Sequence, residues 1–190
     1  MKNILIIAPH ADDEILGCGA AISYYKRKRY KVHIAIMTNA NIGSPSKFLR
    51  KEIDNIRKES LKVHKFLKVD KTFFYNFPAP KLNQSNISDI ADAISVLLKK
   101  IKPSIVFVPH HGDSHDDHNV INKASLVALR PMKGSYIQCI YAYETLSETE
   151  WGINDSASFF IPNVYLPLDS VDINNKIQSM KLYKSQMKKF

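Results

Sequence analysis

Near its start the chain passes from an apolar segment of strand length straight into a group of ionisable side chains. Residues 4–8 read Ile-Leu-Ile-Ile-Ala, with no polar residue among them. A continuous apolar run of this kind is typical of a strand buried on both faces, as in a parallel sheet. Pro9 ends the run, and four ionisable residues follow it: His10, Asp12, Asp13 and Glu14. In an open α/β sheet, ligands bind beyond the carboxyl ends of the strands, so these side chains stand where a site is expected.

The close spacing of these four residues has an electrostatic consequence. Three carboxyl groups and an imidazole so near one another would suffer repulsion and loss of hydration unless a cation or hydrogen bonds compensated. A bound metal ion is the simplest compensation. The segment therefore predicts a metal site at the end of the first strand.

Strand and helix patterns alternate along the rest of the chain. Further apolar runs predict strands at residues 31–37, 71–77, 104–109 and 136–143. Apolar residues spaced by threes and fours predict helices at residues 15–28, 48–67, 88–101, 119–129 and around 173–183. This alternation indicates a three-layer, Rossmann-like α/β fold with a mostly parallel sheet of about five or six strands flanked by helices. With no internal repeat or linker, residues 1–190 are expected to form one domain.

The strand predicted at residues 104–109 ends in a second loop rich in ionisable residues. Five of the seven histidines of the chain lie in the two loops. The second loop contains His110, His111, Asp113, His115, Asp116, Asp117 and His118. Catalytic zinc commonly takes two histidines and one carboxylate and keeps one position open for water. His10, Asp13 and His118 would provide that set, with Asp12 beside the metal as a proton acceptor.

Charge and composition exclude several classes of protein. The formal net charge of +9 would favour anionic substrates, membrane headgroups or nucleic acid. The basic residues are nevertheless scattered over predicted helix faces, without zinc-finger spacing, an RNA-recognition aromatic motif or basic heptads, so we expect no nucleic-acid partner. No stretch approaches the ~20 apolar residues of a membrane span, and no signal-peptide pattern follows Met1. These features predict a cytoplasmic protein with no membrane span.

We expect structural roles for the cysteines and for the histidines that are not proposed as metal ligands or catalytic groups. Cys18 and Cys139 lie far apart in apolar surroundings, so we expect two buried thiols. His64 is expected at the surface or the boundary of its helix. For His110 and His111 we expect packing or surface positions, with an auxiliary metal site as the alternative.

Both loops resemble motifs of the LmbE-like or PIG-L type de-N-acetylases. The first family motif, Pro-His-x-Asp-Asp-Glu, is matched by residues 9–14, with Ala11 at a position that is usually proline. The second, His-x-Asp-His, is matched by residues 115–118. Further similarity covers most of the chain, at Thr38, Arg57, Glu59 and Asp113 and in segments 143–145, 160–164 and 183–186. Together these matches are specific, whereas either motif alone is only suggestive.

The resemblance implies a reaction and a metal centre. The usual substrates of this family are N-acetylated amino sugars, which are either free, part of a glycoconjugate or attached to a lipid inositol. The implied reaction is hydrolysis of the N-acetyl or N-acyl group. One Zn²⁺ ion per chain would be bound by His10, Asp13 and His118. Asp12 would be the general base. The expected partner is a small amino-sugar or glycoconjugate substrate, and the net positive charge would suit either an anionic substrate or a membrane surface. The resemblance is compatible with a homo-oligomer.

The resemblance also implies roles for the residues around the metal. His115 would stabilise the oxyanion and protonate the leaving amine, and Asp117 would hold its ring. Arg57 would lie at the mouth of the substrate site, where it could meet hydroxyl or phosphate oxygens. Glu14 and Asp113 would stand behind the metal ligands and orient them.

One departure from the family concerns the end of the chain. Family members generally continue beyond the region matched by Ser185 and Gln186 with a Pro-His segment that can shape the pocket. This chain stops at Phe190. Either it is truncated or its pocket lacks that wall.

Other functions remain as alternatives. Two histidines and a carboxylate also bind non-haem iron, although here the motif joins a strand to a helix. A different metal-dependent hydrolase would use the same ligands. A non-catalytic metal- and carbohydrate-binding module would keep them too, yet would not need Asp12 as a base. Nucleic-acid binding through basic charge would require a steeply salt-dependent affinity.

Overall fold

One parallel sheet organises the protein. In the computed structural model, which describes residues 2–131, 135–146, 148–152 and 158–187, the strands are β1 (Asn3–Ala8), β2 (Lys31–Asn39), β3 (Lys71–Pro78), β4 (Ile105–Pro109) and β5 (Cys139–Tyr143). Their order across the sheet is β3-β2-β1-β4-β5. Each neighbouring pair is parallel. This arrangement confirms the predicted α/β fold.

Helices cover both faces of the sheet. They are α1 (Asp13–Arg27), α2 (Ala40–Gly43), α3 (Arg50–Phe66), α4 (Ile87–Ile101), α5 (Asp116–Ala128) and α6 (Ser170–Leu182). Leu5 and Ile7 of β1 belong to a core cluster shared with α4 and α5. Ile4 and Ile6 belong to a second cluster shared with α1 and α3. Because successive strand residues point to opposite faces, residues 4–8 of β1 are all apolar and all buried.

Several element boundaries differ from those predicted. α1 begins at Asp13 and α5 at Asp116, earlier than predicted, so that acidic residues occupy both first turns. Carboxylates are favourable there, because the amino end of a helix carries partial positive charge. β5 begins at Cys139 and is shorter than predicted. The short helix α2 lies between the predicted strand at residues 31–37 and the predicted helix at residues 48–67.

The strand order determines where a site can form. From β1 the chain proceeds outward to β2 and β3, and then crosses back to place β4 on the other side of β1. Connections that leave two adjacent strands in opposite directions open a crevice at their carboxyl ends. His10 follows β1 and the second ionisable loop follows β4, so both predicted loops meet at this crevice.

The outcomes for the thiols and for membrane spans follow from the same architecture. Both cysteines are free, and the prediction of a buried thiol is confirmed for Cys18 and wrong for Cys139. Cys18 is buried, whereas Cys139 is only partly buried because β5 is an edge strand. Within the described ranges, no helix is both long and apolar enough to cross a membrane. The predictions about the end of the chain at Phe190 concern residues outside those described.

Candidate active site

Two histidine side chains converge on one carboxylate oxygen. Oδ2 of Asp13 lies 3.2 Å from Nδ1 of His10 and 3.2 Å from Nε2 of His118. One ligand atom from each of the three residues fits within 4.8 Å of the other two. Nε2 of His118 is buried and has no hydrogen-bond partner among the described residues, although it lies 3.2 Å from Oδ2 of Asp13. A buried nitrogen lone pair or N–H that faces a carboxylate without bonding to it fits a metal ligand.

The second nitrogen of each histidine is held from behind by another carboxylate. Nε2 of His10 contacts Oδ2 of Asp117 at 3.0 Å, and Nδ1 of His118 contacts Oδ2 of Asp113 at 2.8 Å. Metal-binding histidines characteristically donate their other N–H to a carboxylate, which orients the ring and makes it more basic. The donor set and its support therefore fit zinc.

Both supporting carboxylates are themselves fixed. Thr149 donates its hydroxyl to Oδ1 of Asp113 at 2.6 Å. The Leu82 amide donates to Oδ1 of Asp117 at 3.1 Å. Asp113 and Asp117 are buried. These bonds restrain the two histidine rings through their carboxylates.

Negative charge dominates the electrostatics of this group. Burial opposes protonation of His10, yet its bonds with Asp117 and Asp13 raise the pKa of His10 to about 10. Burial likewise opposes protonation of His118, and Asp13 and Asp113 raise its pKa to about 9. Asp13 is buried, but the two histidines hold its pKa well below the usual range. Clustered carboxylates thus favour a cation at this point, whether two imidazolium protons or a divalent metal.

Asp12 occupies the entry to α1 in an unusual conformation. Its φ of 109° is positive, a region that non-glycine residues rarely adopt. Burial, together with the adjacent carboxylates of Asp13 and Glu14, raises the pKa of Asp12 well above its usual value. A carboxyl group with a raised pKa is a stronger base than a free one, as general-base chemistry near neutral pH requires.

His115 is the N-cap residue of α5, and its ring lies beside the rings of His10 and His118. Its ring centroid is 4.6 Å from that of His10. Nδ1 of His115 accepts a hydrogen bond from the backbone N–H of Asp117 at 3.2 Å. In the neutral ring the proton consequently sits on Nε2. Burial and the neighbouring His10 lower the pKa of His115, which also favours the neutral ring.

Asp117 does not hold the ring of His115 in the way that the resemblance implies. Its carboxylate contacts His10 and the Leu82 amide, and it meets His115 through its backbone N–H. The physical reason is the position of Asp117 in the first turn of α5, where the N-cap side chain accepts from the backbone. A second group of possible ligands, His10, His115 and Asp117, results from this crowding.

Glu14 and His64 meet in the interior. Nε2 of His64 lies 3.0 Å from Oε1 of Glu14, and both side chains are buried. The prediction that His64 lies at the surface or the boundary of its helix is wrong, because α3 turns this position towards α1. Asp13 and His118 are not among the contacts of Glu14; its Oε2 accepts from the Asp12 amide at 2.9 Å.

A cavity of about 320 Å³ lies beside His10 and Asp13, two of the three possible metal ligands. Asp12, Asp13, His10 and His115 are among its lining residues. An apolar wall is formed by Leu16, Ile36, Phe48, Ile53 and Ile56. Polar side chains complete the lining, namely Thr38, Asn39, Arg57, Glu148 and Gln186. A mainly apolar cleft with a few convergent polar groups is the usual form of a small-molecule site.

Arg57 of α3 is among the residues that line this cavity, and its place at the mouth of a substrate site stays a prediction. One guanidinium nitrogen, Nη2, donates to the Tyr75 carbonyl at 2.6 Å and to Oδ1 of Asn76 at 2.9 Å. The guanidinium also lies over the Phe74 ring at 5.0 Å. β3 therefore fixes the orientation of Arg57.

The sequence patterns did not indicate some of the residues around the cavity. Glu148 and the apolar residues of α3 carry no motif, and only the folded chain brings them to the site. Gln186 and Tyr183 lie in a segment of family similarity, and that similarity did not indicate what the segment does.

His110 is buried, with Nε2 2.7 Å from the Ser158 carbonyl and its ring against His111 and Phe160. That environment is one of packing, as expected.

Comparison with known sequences shows the family. The family profile described as PIG-L: GlcNAc-PI de-N-acetylase matches residues 5–129. "Uncharacterized deacetylase YaiS" of Escherichia coli K12 is 30% identical over 189 residues, which cover 97% of this chain and 91% of that protein. "Probable N-acetyl-alpha-D-glucosaminyl L-malate deacetylase 2" of Bacillus cereus is 25% identical over 192 residues, covering 97% of this chain and 84% of that protein.

Comparison with solved structures agrees on the fold. The conserved protein TT1542 from Thermus thermophilus superimposes with a TM-score of 0.75 at 25% identity, covering 98% of this chain and 80% of that one. GalB, a 4-carboxy-2-hydroxymuconate hydratase from Pseudomonas putida KT2440, gives a TM-score of 0.75 at 18% identity, with coverage of 98% and 80%. The second likeness shows that the fold by itself does not determine the reaction. The family match over residues 5–129, joined to the clustered histidines and carboxylates at the ends of β1 and β4, shows that this chain belongs to the PIG-L (GlcNAc-PI de-N-acetylase) family, a family of enzymes that hydrolyse N-acyl amides.

Proposed function

We propose that this chain is a zinc-dependent hydrolase that removes the N-acetyl, or a related N-acyl, group from an amino sugar or a glycoconjugate such as an N-acetylglucosaminyl compound. The observation that carries the proposal is the group formed by His10, Asp13 and His118, whose histidines are supported by further carboxylates and which lies beside a cavity lined by Asp12 and His115. The names of the relatives, both deacetylases, support the same reaction.

The metal ligands would be Nδ1 of His10, a carboxylate oxygen of Asp13 and Nε2 of His118, one Zn²⁺ ion per chain. Bound zinc would lower the pKa of a water molecule and polarise the acyl carbonyl. Asp117 and Asp113 would keep the two imidazoles oriented and deprotonated on the nitrogen that faces the ion.

Asp12 and His115 would perform the proton and charge chemistry. The Asp12 carboxylate accepts a proton from the attacking water and keeps it until the amine departs. His115 donates a hydrogen bond from Nε2–H to the oxygen on which negative charge develops. Its Nδ1 already accepts from the Asp117 amide, so the structure favours a neutral donor over an imidazolium acid. The leaving nitrogen then receives the proton held by Asp12.

The substrate is proposed from the shape and chemistry of the cavity. About 320 Å³ is enough for a sugar-sized group. Arg57, Asn39, Glu148 and Gln186 provide donors and acceptors for hydroxyl groups. The apolar wall would contact the less polar face of a sugar ring or an aglycone. An anionic group on the substrate would suit Arg57 and the net charge of +9.

Metal content and acetate release measured on one preparation test this proposal. The zinc-loaded protein and its chelated form would be assayed against N-acetylglucosamine, chitooligosaccharides and N-acetylglucosaminyl compounds of malate and inositol. We expect about one zinc per chain and acetate only from the loaded form. Bound zinc with no acetate from any substrate would contradict the proposed reaction and favour a hydratase or a binding module. Absence of bound metal would contradict the site itself.

A further inference from the structure

Asp12 holds a backbone conformation that its own side chain does not favour. Its φ is 109°, outside the regions that a residue with a Cβ atom normally occupies. Such a conformation persists only where the surrounding structure imposes it. The Asp12 amide donates to Oε2 of Glu14 at 2.9 Å. This bond closes the turn on the amino side of Asp12, while Ile15 and Leu16 bond to its carbonyl at 2.8 and 2.9 Å.

Glu14 is held by two further donors deep in the protein. The Tyr183 hydroxyl donates to its Oε1 at 2.5 Å, and Nε2 of His64 lies 3.0 Å from the same oxygen. Glu14 and Tyr183 are 0% exposed, and His64 is 3% exposed. A carboxylate removed from water to this extent requires hydrogen bonds to every oxygen. Three donors from three parts of the chain meet that requirement.

The donors come from elements that are distant in sequence. Tyr183 immediately follows α6 and is 169 positions from Glu14. His64 lies on α3, and its Nδ1 is 2.8 Å from the Thr72 hydroxyl of β3. With the proton on Nε2, His64 donates to Glu14 and accepts from Thr72, so both ring nitrogens are satisfied. The hydrogen-bonded chain therefore runs from β3 through α3 to α1 and ends at the Asp12 amide.

We propose that Tyr183 and His64 are positioning residues which act through Glu14 to hold the Asp12 backbone, and hence its carboxylate, in the orientation used for proton transfer. A solely structural role would be met by apolar side chains, which fill the same core without a buried charge. Instead, Tyr183 and His64 both contact Oε1 of Glu14. The other oxygen, Oε2, accepts a hydrogen bond from the amide of Asp12, the proposed base. The inference rests on the proposed function, since it assigns Asp12 a role in hydrolysis.

Two pairs of variants test the inference. Tyr183→Phe removes only the hydroxyl, and Tyr25→Phe is its matched control, since Tyr25 is buried in the same core cluster and packs against Tyr30 and Phe107. His64→Leu removes the donor to Glu14, whereas His64→Gln places an amide N–H near the position of Nε2 and should rescue. Each variant would be measured for hydrogen exchange of the Asp12 amide, bound zinc, kcat and KM.

We expect Tyr183→Phe and His64→Leu to speed exchange of the Asp12 amide about tenfold or more while the Ile15 amide, which bonds to the Asp12 carbonyl, exchanges as before. We also expect kcat to fall about tenfold with KM and bound zinc unchanged. Tyr25→Phe and His64→Gln should match the wild type. Unchanged Asp12 exchange, or an equal loss in Tyr25→Phe, would overturn the inference. So would loss of zinc together with kcat, which would place the effect on the metal. If the wild type releases no acetate, the proposed function fails, and amide exchange alone decides whether this network holds Asp12.

Discussion

At the scale of single residues, the site is organised by how each histidine uses its two ring nitrogens. His10 and His118 each direct one nitrogen towards Asp13 and the other towards a buried carboxylate. His115 differs, since its Nδ1 accepts from a backbone amide. The same side chain thus serves as a proposed metal ligand at two positions and as a proposed neutral hydrogen-bond donor at the third.

Asp12→Asn separates metal binding from hydrolysis. The amide keeps the size of the side chain but cannot accept a proton, so we expect bound zinc to remain and kcat to fall about 10²- to 10⁴-fold. Zinc content by elemental analysis and acetate release measure the two properties. Hydrolysis at the wild-type rate would remove Asp12 from the mechanism.

Substitutions of His115 distinguish a neutral donor from an acid. Gln can supply an N–H near the position of Nε2 but cannot carry a titrating proton, whereas Ala supplies neither. If His115 stabilises the oxyanion as a neutral donor, His115→Gln should retain at least ten times the kcat of His115→Ala, whose own loss should be about 10²- to 10³-fold. Equal losses in both variants would instead favour proton donation by an imidazolium. Comparable zinc content in the two proteins is the control.

At the scale of elements, the last helix is joined to the first by an ion pair between a buried carboxylate and a partly exposed arginine. Asp172 of α6 accepts from the Arg27 guanidinium of α1 at 2.6 and 3.0 Å and from the Ser23 hydroxyl at 2.7 Å. Its side chain is fully buried. Lys176, also on α6, donates to the Leu16 carbonyl at 2.6 Å. α6 thereby holds α1, which carries Asp13 and Glu14, and brings Tyr183 into the core.

Asp172→Asn should destabilise the protein in a pH-dependent way. The bonds from Arg27, aided by Ser23, lower the pKa of Asp172 to about 2. A lowered pKa means that the stabilisation is complete above the unfolded value of about 3.9 and is lost as the pH falls through about 2. We expect a loss of about 2 kcal/mol at pH 7 and pH 5, and a smaller difference from the wild type at pH 3.

Urea unfolding at the three pH values measures this effect, and Asp169→Asn is the matched control. Asp169 pairs with the same Arg27 at 2.6 Å, but its side chain is 61% exposed, so its loss should change the free energy of unfolding by less than about 0.5 kcal/mol. A difference between wild type and Asp172→Asn that grows towards low pH would contradict the assigned ion pair.

At the scale of the whole molecule, the proposed metal site links the two halves of the sheet. Its proposed ligands come from the end of β1, the first turn of α1 and the first turn of α5. In the unfolded chain the two loops that hold these ligands are far apart in sequence, so a metal would bind the folded state preferentially. Metal binding should therefore stabilise the entire domain.

Zinc should raise the melting temperature. At a free concentration of about 1,000 times Kd, binding contributes about 4 kcal/mol, which corresponds to roughly 10 °C for a domain of this size. Thermal unfolding with zinc and with chelator measures the shift. His118→Ala should abolish it, and Asp116→Asn, which changes an exposed carboxylate of the same loop, should preserve it. A wild-type melting temperature that is independent of zinc would contradict a specific site.

The sequence alone determined the local parts of this protein. A strand is apolar on both faces only when it is buried on both, so residues 4–8 already indicated a parallel sheet. The spacing of His10, Asp12 and Asp13, with the second loop, indicated a metal site and its proposed ligands, because parallel strands place their ends at one edge. Strand order, the burial of His64 against Glu14, the support of His10 by Asp117 and the reach of Tyr183 to Glu14 were decided only in the tertiary structure. These three contacts join side chains 50 to 169 positions apart, and no local periodicity records which distant partners the packing of helices on the sheet will bring together.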